Sequence, residues 1–595
     1  MISYRIDIHN PNAHLYRVTL TVPQPAATQR LSLPVWIPGS YLVREFARHL
    51  SGLEAKQGSR ALQLTQLDKA TWQAECSGRG ALVVTYLVYA FDTSVRAAFL
   101  DAQRGFFNGT SLCLRVEGRE AELHRIALRS LPRGWQVATS MSATAAAVFE
   151  AADYDELVDH PFELGTFWRG QFKAHGVPHE LVVAGALPDF NGARLLADTK
   201  RICETEIAFW HGDAPKRGDI PFRRYVFLLN SVDDGYGGLE HRASTALIAA
   251  RRDLPRVVLA NAAKGAPPEA MSDGYVTLLG LISHEYFHTW NVKRLRPRDF
   301  APYDYTRENY TELLWFFEGF TSYYDDLLLR RAGLIDEARY LKAVAKTVTS
   351  VLGMPGRQVQ SVAQASFDAW VKYYRGDENT PNATISYYTK GSLVALALDL
   401  SLRSHGSRRQ ATLDAVMCGL WARSAGGPIT EADIVEVLRD VAGPSQADAL
   451  TRHLREWVHG TGDLPLKDLL KRFGVHWQAP PTTLAQRLGL RVSESALTGI
   501  KVTHVLRGGA AERAGLSAGD EVLALGDWRL RRLDDALRGL TPGQLAVLLV
   551  SRDQRLLRLS LDVPEPADVA GAVTLTADAK APRAALALRS AWLGG

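Results

Sequence analysis

"SHEYFHTW", residues 283–290, is the stretch on which the reading of this chain turns. His284 and His288 stand four apart, with Glu285 directly after the first. On a helix that spacing puts both imidazoles on adjacent turns of one face, where they can meet a single metal ion. Three fixed letters recur by accident, so the surroundings must carry the reading. They predict a helix: Tyr275, Leu278, Leu279, Ile282 and Tyr286 recur at three- and four-residue steps and form an apolar stripe. His284 falls on the opposite side from Ile282, so the histidines leave the core face and point toward a cleft.

A hydrolytic zinc takes three protein ligands and keeps one position for water, so a third ligand is expected downstream. Glu318, in "LLWFFEGFTSYYDDLLLRR" (313–331), is the candidate. Leu313, Leu314, Phe317 and Tyr324 give this stretch the apolar face of a second helix, and a carboxylate in such company is costly unless paired or metal-bound. Asp325, two turns further on, is placed to accept a hydrogen bond from the outer nitrogen of His284, or else is an exposed acid. The basic run "KRLRPR" (293–298) has two readings, cations complementing a helix C-terminus or groups that hold a substrate carboxylate.

The whole chain sets limits on these readings. Its 595 residues exceed a single core and imply about three or four domains. An apolar fraction of 46% and a charged fraction of 22% indicate a globular protein. No apolar run approaches the roughly 18 residues that span a bilayer, and the start "MISYRIDIHN" reads as a strand instead of a leader, so a cytoplasmic protein is expected. Cys76, Cys113, Cys203 and Cys418 form no close pair, which argues against both a disulfide framework and a thiolate zinc site. A net charge of +5, without a basic block interleaved with aromatics, argues against nucleic acid as a partner.

The expected architecture is multidomain α+β. Residues 1–170 alternate in short strands ("LYRVTLTV", "ALVVTYLVYAF", "SLCLRV") and predict an all-β, sandwich-like domain. Residues 171–475 form a catalytic domain, mixed at first and helical from about 330; "ITEADIVEVLRDVAG" opens with Thr430 three residues before Asp433, a loose capping pattern. Short strands return over 482–562, and 563–595 reads as an Ala-rich tail.

The motifs taken together resemble a known family. "GGLEH" (237–241), "HEYFHTWNVKRLRP" (284–297), "FEGFTSYYDDLLLRRAGL" (317–334) and "YYTKGSLVALALDL" (387–400) look like the glycyl aminopeptidases, PDZ-containing zinc metallopeptidases related to aminopeptidase N. "LPVWIPGSYLVREFARHL" (33–50) and "FFNGTSLCLRV" (106–116) resemble that family's β-domain. The resemblance implies a thermolysin-like fold in which His284, His288 and Glu318 bind one zinc ion and Glu285 is the general base. It also implies a preference for N-terminal glycine or alanine. "YYTKG" is similar to the Y-x-K-G of aminopeptidase N and implies a transition-state tyrosine at Tyr388, with Tyr387 the alternative register. "GGLEH" stands where aminopeptidase N has its substrate-binding strand. The match implies that Glu240 recognises a free N-terminus, and that Gly237 and Gly238 let the backbone approach a peptide closely. Asp325 matches the acidic position after the zinc-binding glutamate.

"GIKVTHVLRGGAAERAGLSAGDEVLALGDWRL" (499–530) resembles a PDZ core, and "RLGLRV" (487–492) its carboxylate-binding loop and groove strand. Such a module captures a peptide end or serves as docked structural support, and both roles remain open. The expected partners are peptide substrates with a free N-terminus and a PDZ peptide ligand, with a homo-oligomer left open. Two rival readings stand beside the aminopeptidase: an endopeptidase on the same zinc, and a PDZ scaffold whose peptidase domain is inactive.

Overall fold

The computed structural model describes residues 1–594 apart from 217, 258–270, 406–410, 481–482, 539, 542 and 565–571. The expected start of the PDZ segment, residue 482, and part of the expected tail therefore lie outside the described residues. The chain forms two compact units, Met1–Tyr310 with Trp421–Ile429, and Thr311–Leu420 with Thr430–Gly595.

The first unit opens with an all-β domain, as its alternation predicts. Along the strand Leu82–Tyr89, Leu82, Val84, Tyr86 and Val88 are buried while the residues between them are partly exposed, the period of two that a half-buried strand requires. It lies in an eight-stranded sheet, accompanied by two four-stranded sheets. Within this domain "SLCLRV" departs from expectation: only Arg115–Val116 is strand, and Gly109–Leu112 is a helical turn. The reason is side-chain competition for the backbone. The phenols of Tyr86, Tyr154 and Tyr4 donate to the carbonyls of Leu112, Cys113 and Leu114 at 2.7 Å each, so these carbonyls need no neighbouring strand.

A five-stranded mixed sheet comes next along the chain. Val177–Ala184, Tyr225–Val232 and Ser244–Ala250 run parallel, and Tyr236–Glu240 lies antiparallel at the open edge. The helix Asp273–Phe287 is capped by Ser272, whose Oγ accepts from the Tyr275 N–H at 3.1 Å. All five residues of the expected apolar stripe are buried.

The second unit is mainly helical before its C-terminal module. The capping box of Thr430 and Asp433 forms as its spacing predicts. The stretch expected as one helix around Glu318 is two, Leu314–Phe317 and Gly319–Arg331, with Glu318 at the joint. The C-terminal module has a sheet led by the edge strand Leu490–Ser495, around a core that includes Leu488, Ile500, Val502 and Val550. "RLGL" is not an open loop here. It is the end of the helix Leu484–Leu488, closed by Gly489 in the left-handed region (φ 73°), and the Arg487 and Gly489 N–H groups are already donated within the turn. Asn382 of the helical region clasps this module by donating to the Val505 carbonyl at 2.9 Å and accepting from the Arg507 N–H at 2.8 Å.

The expected tail is folded structure. Thr574–Ala577 pairs with Val475–Gln478, and the helix Arg583–Leu593 buries Trp592, whose indole N–H donates to the Tyr323 hydroxyl at 3.0 Å. Alanine-rich composition hid an amphipathic helix with one large anchor. Among the described residues no helix is long and apolar enough to cross a membrane.

Candidate metal centre and substrate strand

His288 ends the histidine helix, and the turn after it fixes the orientation of its ring. Its Nδ1 lies 2.7 Å from the Asn291 carbonyl, which makes Nδ1 the protonated nitrogen and leaves Nε2 bare. The turn that presents this carbonyl is strained: the buried Val292 has φ 115°, a region a β-branched residue adopts only under constraint, at a cost of order 1–3 kcal/mol. The constraint is a set of short returns, Lys293 N–H to the His288 carbonyl at 3.1 Å and Val292 N–H to the Leu295 carbonyl at 2.8 Å.

The run "KRLRPR" is largely committed elsewhere. Lys293 Nζ makes a buried ion pair with Asp159 at 2.7 Å, and Arg294 donates to the carbonyls of Thr289, Arg242 and Pro221. Burial alone would raise Asp159, but Lys293, Arg242 and His241 hold it well below the usual carboxylate range.

The Nε2 atoms of His284 and His288 face each other at 3.0 Å, with ring planes near perpendicular. Two imidazole nitrogens that share a tetrahedral zinc are about 3.3 Å apart, so the pair sits close to the spacing a bridging cation sets. His284 and His288 offer two imidazole ligands in the first unit, and Glu318, the expected third ligand, belongs to the second. Glu318 is 2% exposed and flanked by Phe317 and Phe320. A carboxylate in that setting calls for a cation, and the His₂Glu donor set suits zinc.

Glu318 owes its position to a pair of glycines. A Cβ on Gly319 would lie 2.6 Å from Gly391 Cα, and one on Gly391 would lie 2.6 Å from the Trp315 carbonyl oxygen. This bare contact lets the start of the helix Tyr387–His405 lie close against the Glu318 joint. The Tyr388 phenol is raised well above its ordinary pKa, by burial and then by the Glu318 charge, so it remains a hydrogen-bond donor. Tyr387 is fully buried and stacks on Tyr388 at 4.8 Å. Asp325 is partly exposed on the Glu318 side of the second helix, with Oδ1 2.6 Å from the Asp326 N–H.

The edge strand Tyr236–Glu240 lies over the histidine helix. A Cβ on Gly238 would stand 2.5 Å from Glu285 Cγ and closer still to its carboxylate, so glycine is required where the strand rests on Glu285. Glu240, at the strand end, is 4% exposed, and its Oε1 has no hydrogen-bond partner among the described residues. Gly39 (φ 89°) caps it from the β-domain, and a Cβ there would lie 2.5 Å from both carboxylate oxygens. Gly237 sits next to Arg96, whose Nη2 donates to the Gly238 carbonyl at 3.3 Å.

Family models match three parts of the chain. The Peptidase M61 N-terminal domain model matches residues 3–166, the M61 glycyl aminopeptidase model residues 277–394, and a PDZ domain model residues 477–541. An aminopeptidase N family protein from Idiomarina loihiensis is 37% identical over 100% of both chains, with a TM-score of 0.91. The chain belongs to the M61 glycyl aminopeptidase family. As an M61 member it is a metallopeptidase with an N-terminal β-domain and a C-terminal PDZ domain. An M1 zinc metallopeptidase mutant from Deinococcus radiodurans, bound to a Tyr-Ser-Ala substrate, is similar at 14% identity over 78% of this chain and 94% of that one, with a TM-score of 0.46. No curated protein matches the M61 chain significantly.

Sequence reasoning missed Gly39, Arg96, Asn291 and the Lys293–Asp159 pair. Asn291 acts through a backbone carbonyl, which no side-chain letter signals. The others meet their partners at separations of more than a hundred residues, and only "WIPGS" within the family-like β-domain hinted at Gly39.

Proposed function

We propose that this protein is a zinc-dependent aminopeptidase that removes small N-terminal residues, glycine and alanine, from peptides. The observation that carries the reading is Glu240: a buried carboxylate with an unmatched oxygen, two residues along an open strand from the glycine that rests on Glu285. A carboxylate so placed pairs with a free α-ammonium and would be left unmatched by a chain that continues upstream, which favours trimming over internal cleavage. The small-residue preference is supported by the family description alone.

His284, His288 and Glu318 would hold the zinc, which when bound acts as a Lewis acid on the scissile carbonyl and lowers the pKa of water. Glu285 takes the proton of the attacking water and delivers it to the leaving amine. The Tyr388 hydroxyl, kept protonated by its surroundings, donates to the developing oxyanion. The edge strand Leu490–Ser495 offers the PDZ domain a place to add a peptide strand, with its helix end already capped.

The test is Glu285→Ala, assayed on glycyl- and alanyl-p-nitroanilide together with metal content. The expected result is one zinc per chain in both proteins and a loss of at least about 100-fold in turnover by the variant. A variant that keeps its turnover would remove Glu285 from the mechanism.

A further inference from the structure

We propose that Arg96 binds the C-terminal carboxylate of a dipeptide substrate, which makes a free carboxylate one residue beyond the scissile bond a specificity determinant. The proposal rests on Glu240 as the anchor of the substrate ammonium. Arg96 reaches from the β-domain to the open edge of the strand Tyr236–Glu240, and its Nη2 donates to the Gly238 carbonyl at 3.3 Å. Its Nη1 lies 3.7 Å from where a Cβ of Gly237 would stand. The Nε is buried without a hydrogen-bond partner, and among the described residues the guanidinium makes no ion pair. Of the five N–H donors of the guanidinium, a single one makes a long hydrogen bond, to the Gly238 carbonyl. A cation held this way is matched by an anion that arrives with the ligand, and the fork of a guanidinium suits a carboxylate in two-point contact.

The spacing selects the ligand. Arg96 meets the Gly238 carbonyl on the edge strand, beside which an extended peptide would add. Gly238 is two residues from Glu240, roughly 7 Å along a strand. A dipeptide spans about the same distance from ammonium to carboxylate. With its ammonium at Glu240, its carboxylate falls at Arg96 and its peptide bond lies between the two, along the Leu239–Gly238 segment that rests on Glu285. A longer peptide brings a neutral amide to the same point and gains no such pairing. Lys293 is engaged by Asp159 and Arg294 by three carbonyls.

The experiment compares kcat/KM for glycyl-leucine and for glycyl-leucinamide in the zinc-loaded full chain, then in Arg96→Gln and Arg96→Lys. The wild-type protein is expected to favour the free acid by about ten- to a hundred-fold. The ratio should fall to about one in Arg96→Gln and remain partly above one in Arg96→Lys. Equal efficiency on both substrates in the wild type overturns the proposal and leaves the aminopeptidase reading standing, whether or not the variants fold. A ratio unchanged in a folded Arg96→Gln likewise removes Arg96 from recognition. Wild-type protein that cleaves neither substrate overturns the aminopeptidase reading, and this proposal with it.

Discussion

Replacing Gly238 by alanine adds one methyl group at the point where the substrate strand meets the general base. The new Cβ would stand 2.5 Å from Glu285 Cγ, whereas ordinary contact begins near 3.4 Å, so Glu285 or the strand must move by about 1 Å. Glu285 is 5% exposed and has little room to yield, so the carboxylate is forced from the position in which it faces the attacking water. A misplacement of about 1 Å in a reacting group costs on the order of 100-fold in rate. Gly238→Ala should therefore lower kcat for glycyl-p-nitroanilide by about that factor while zinc content stays at the wild-type value. The assay is steady-state kinetics beside metal analysis and a thermal melt, since a loss explained by unfolding would appear in the melt. A folded, zinc-replete Gly238→Ala with wild-type kcat would refute the argument that the strand rests on a working base.

Two further outcomes rest on the packing. His179 is buried with Nε2 2.8 Å from the Tyr286 hydroxyl, and burial lowers its pKa from 6.5 to about 4. Its depressed pKa means that the unfolded chain binds the extra proton first, so stability is full above about pH 6.5 and is lost as pH falls toward about 4. The loss is about 2 kcal/mol between about pH 7.5 and about pH 5, and urea midpoints at the two pH values should show it shrink in His179→Gln. Trp592 is fully buried in the helical unit, so Trp592→Ala should cost about 3–5 kcal/mol, read as a lower urea midpoint; no change would mean the C-terminal helix is dispensable.

The parts of the fold legible in the sequence were those governed by local period. The histidine helix, its stripe from Tyr275 to Tyr286, the alternating strand Leu82–Tyr89 and the Thr430 cap are each written in a dozen residues or fewer. Glu318 was legible as an acid among aromatics, but the joint at which it sits was not, because the close approach of Gly319 to Gly391 depends on a helix some seventy residues away. "SLCLRV" misled for a similar reason: its carbonyls are satisfied by three tyrosines from distant positions, which periodicity cannot register. The last thirty residues looked featureless because alanine carries little pattern, yet one tryptophan anchors the helix there. In the candidate site, the chemistry-bearing letters were readable while their supports were not. Gly39 against Glu240, the strained Val292 turn behind His288 and Arg96 over the glycine strand exist only once distant segments have met.

The central claim, that Glu240 reads a free N-terminus beside a zinc-hydrolase site, is tested most directly with one pair of peptides. Alanyl-alanyl-phenylalanine with a free N-terminus is compared with its N-acetylated form, by mass spectrometry of the products, in the wild type and in Glu240→Ala. The wild type is predicted to release alanine from the free peptide and to leave the acetylated one almost untouched. Glu240→Ala should lose most of that difference through slower cleavage of the free peptide. Comparable cleavage of the acetylated peptide by the wild-type protein would contradict the claim and identify an endopeptidase instead.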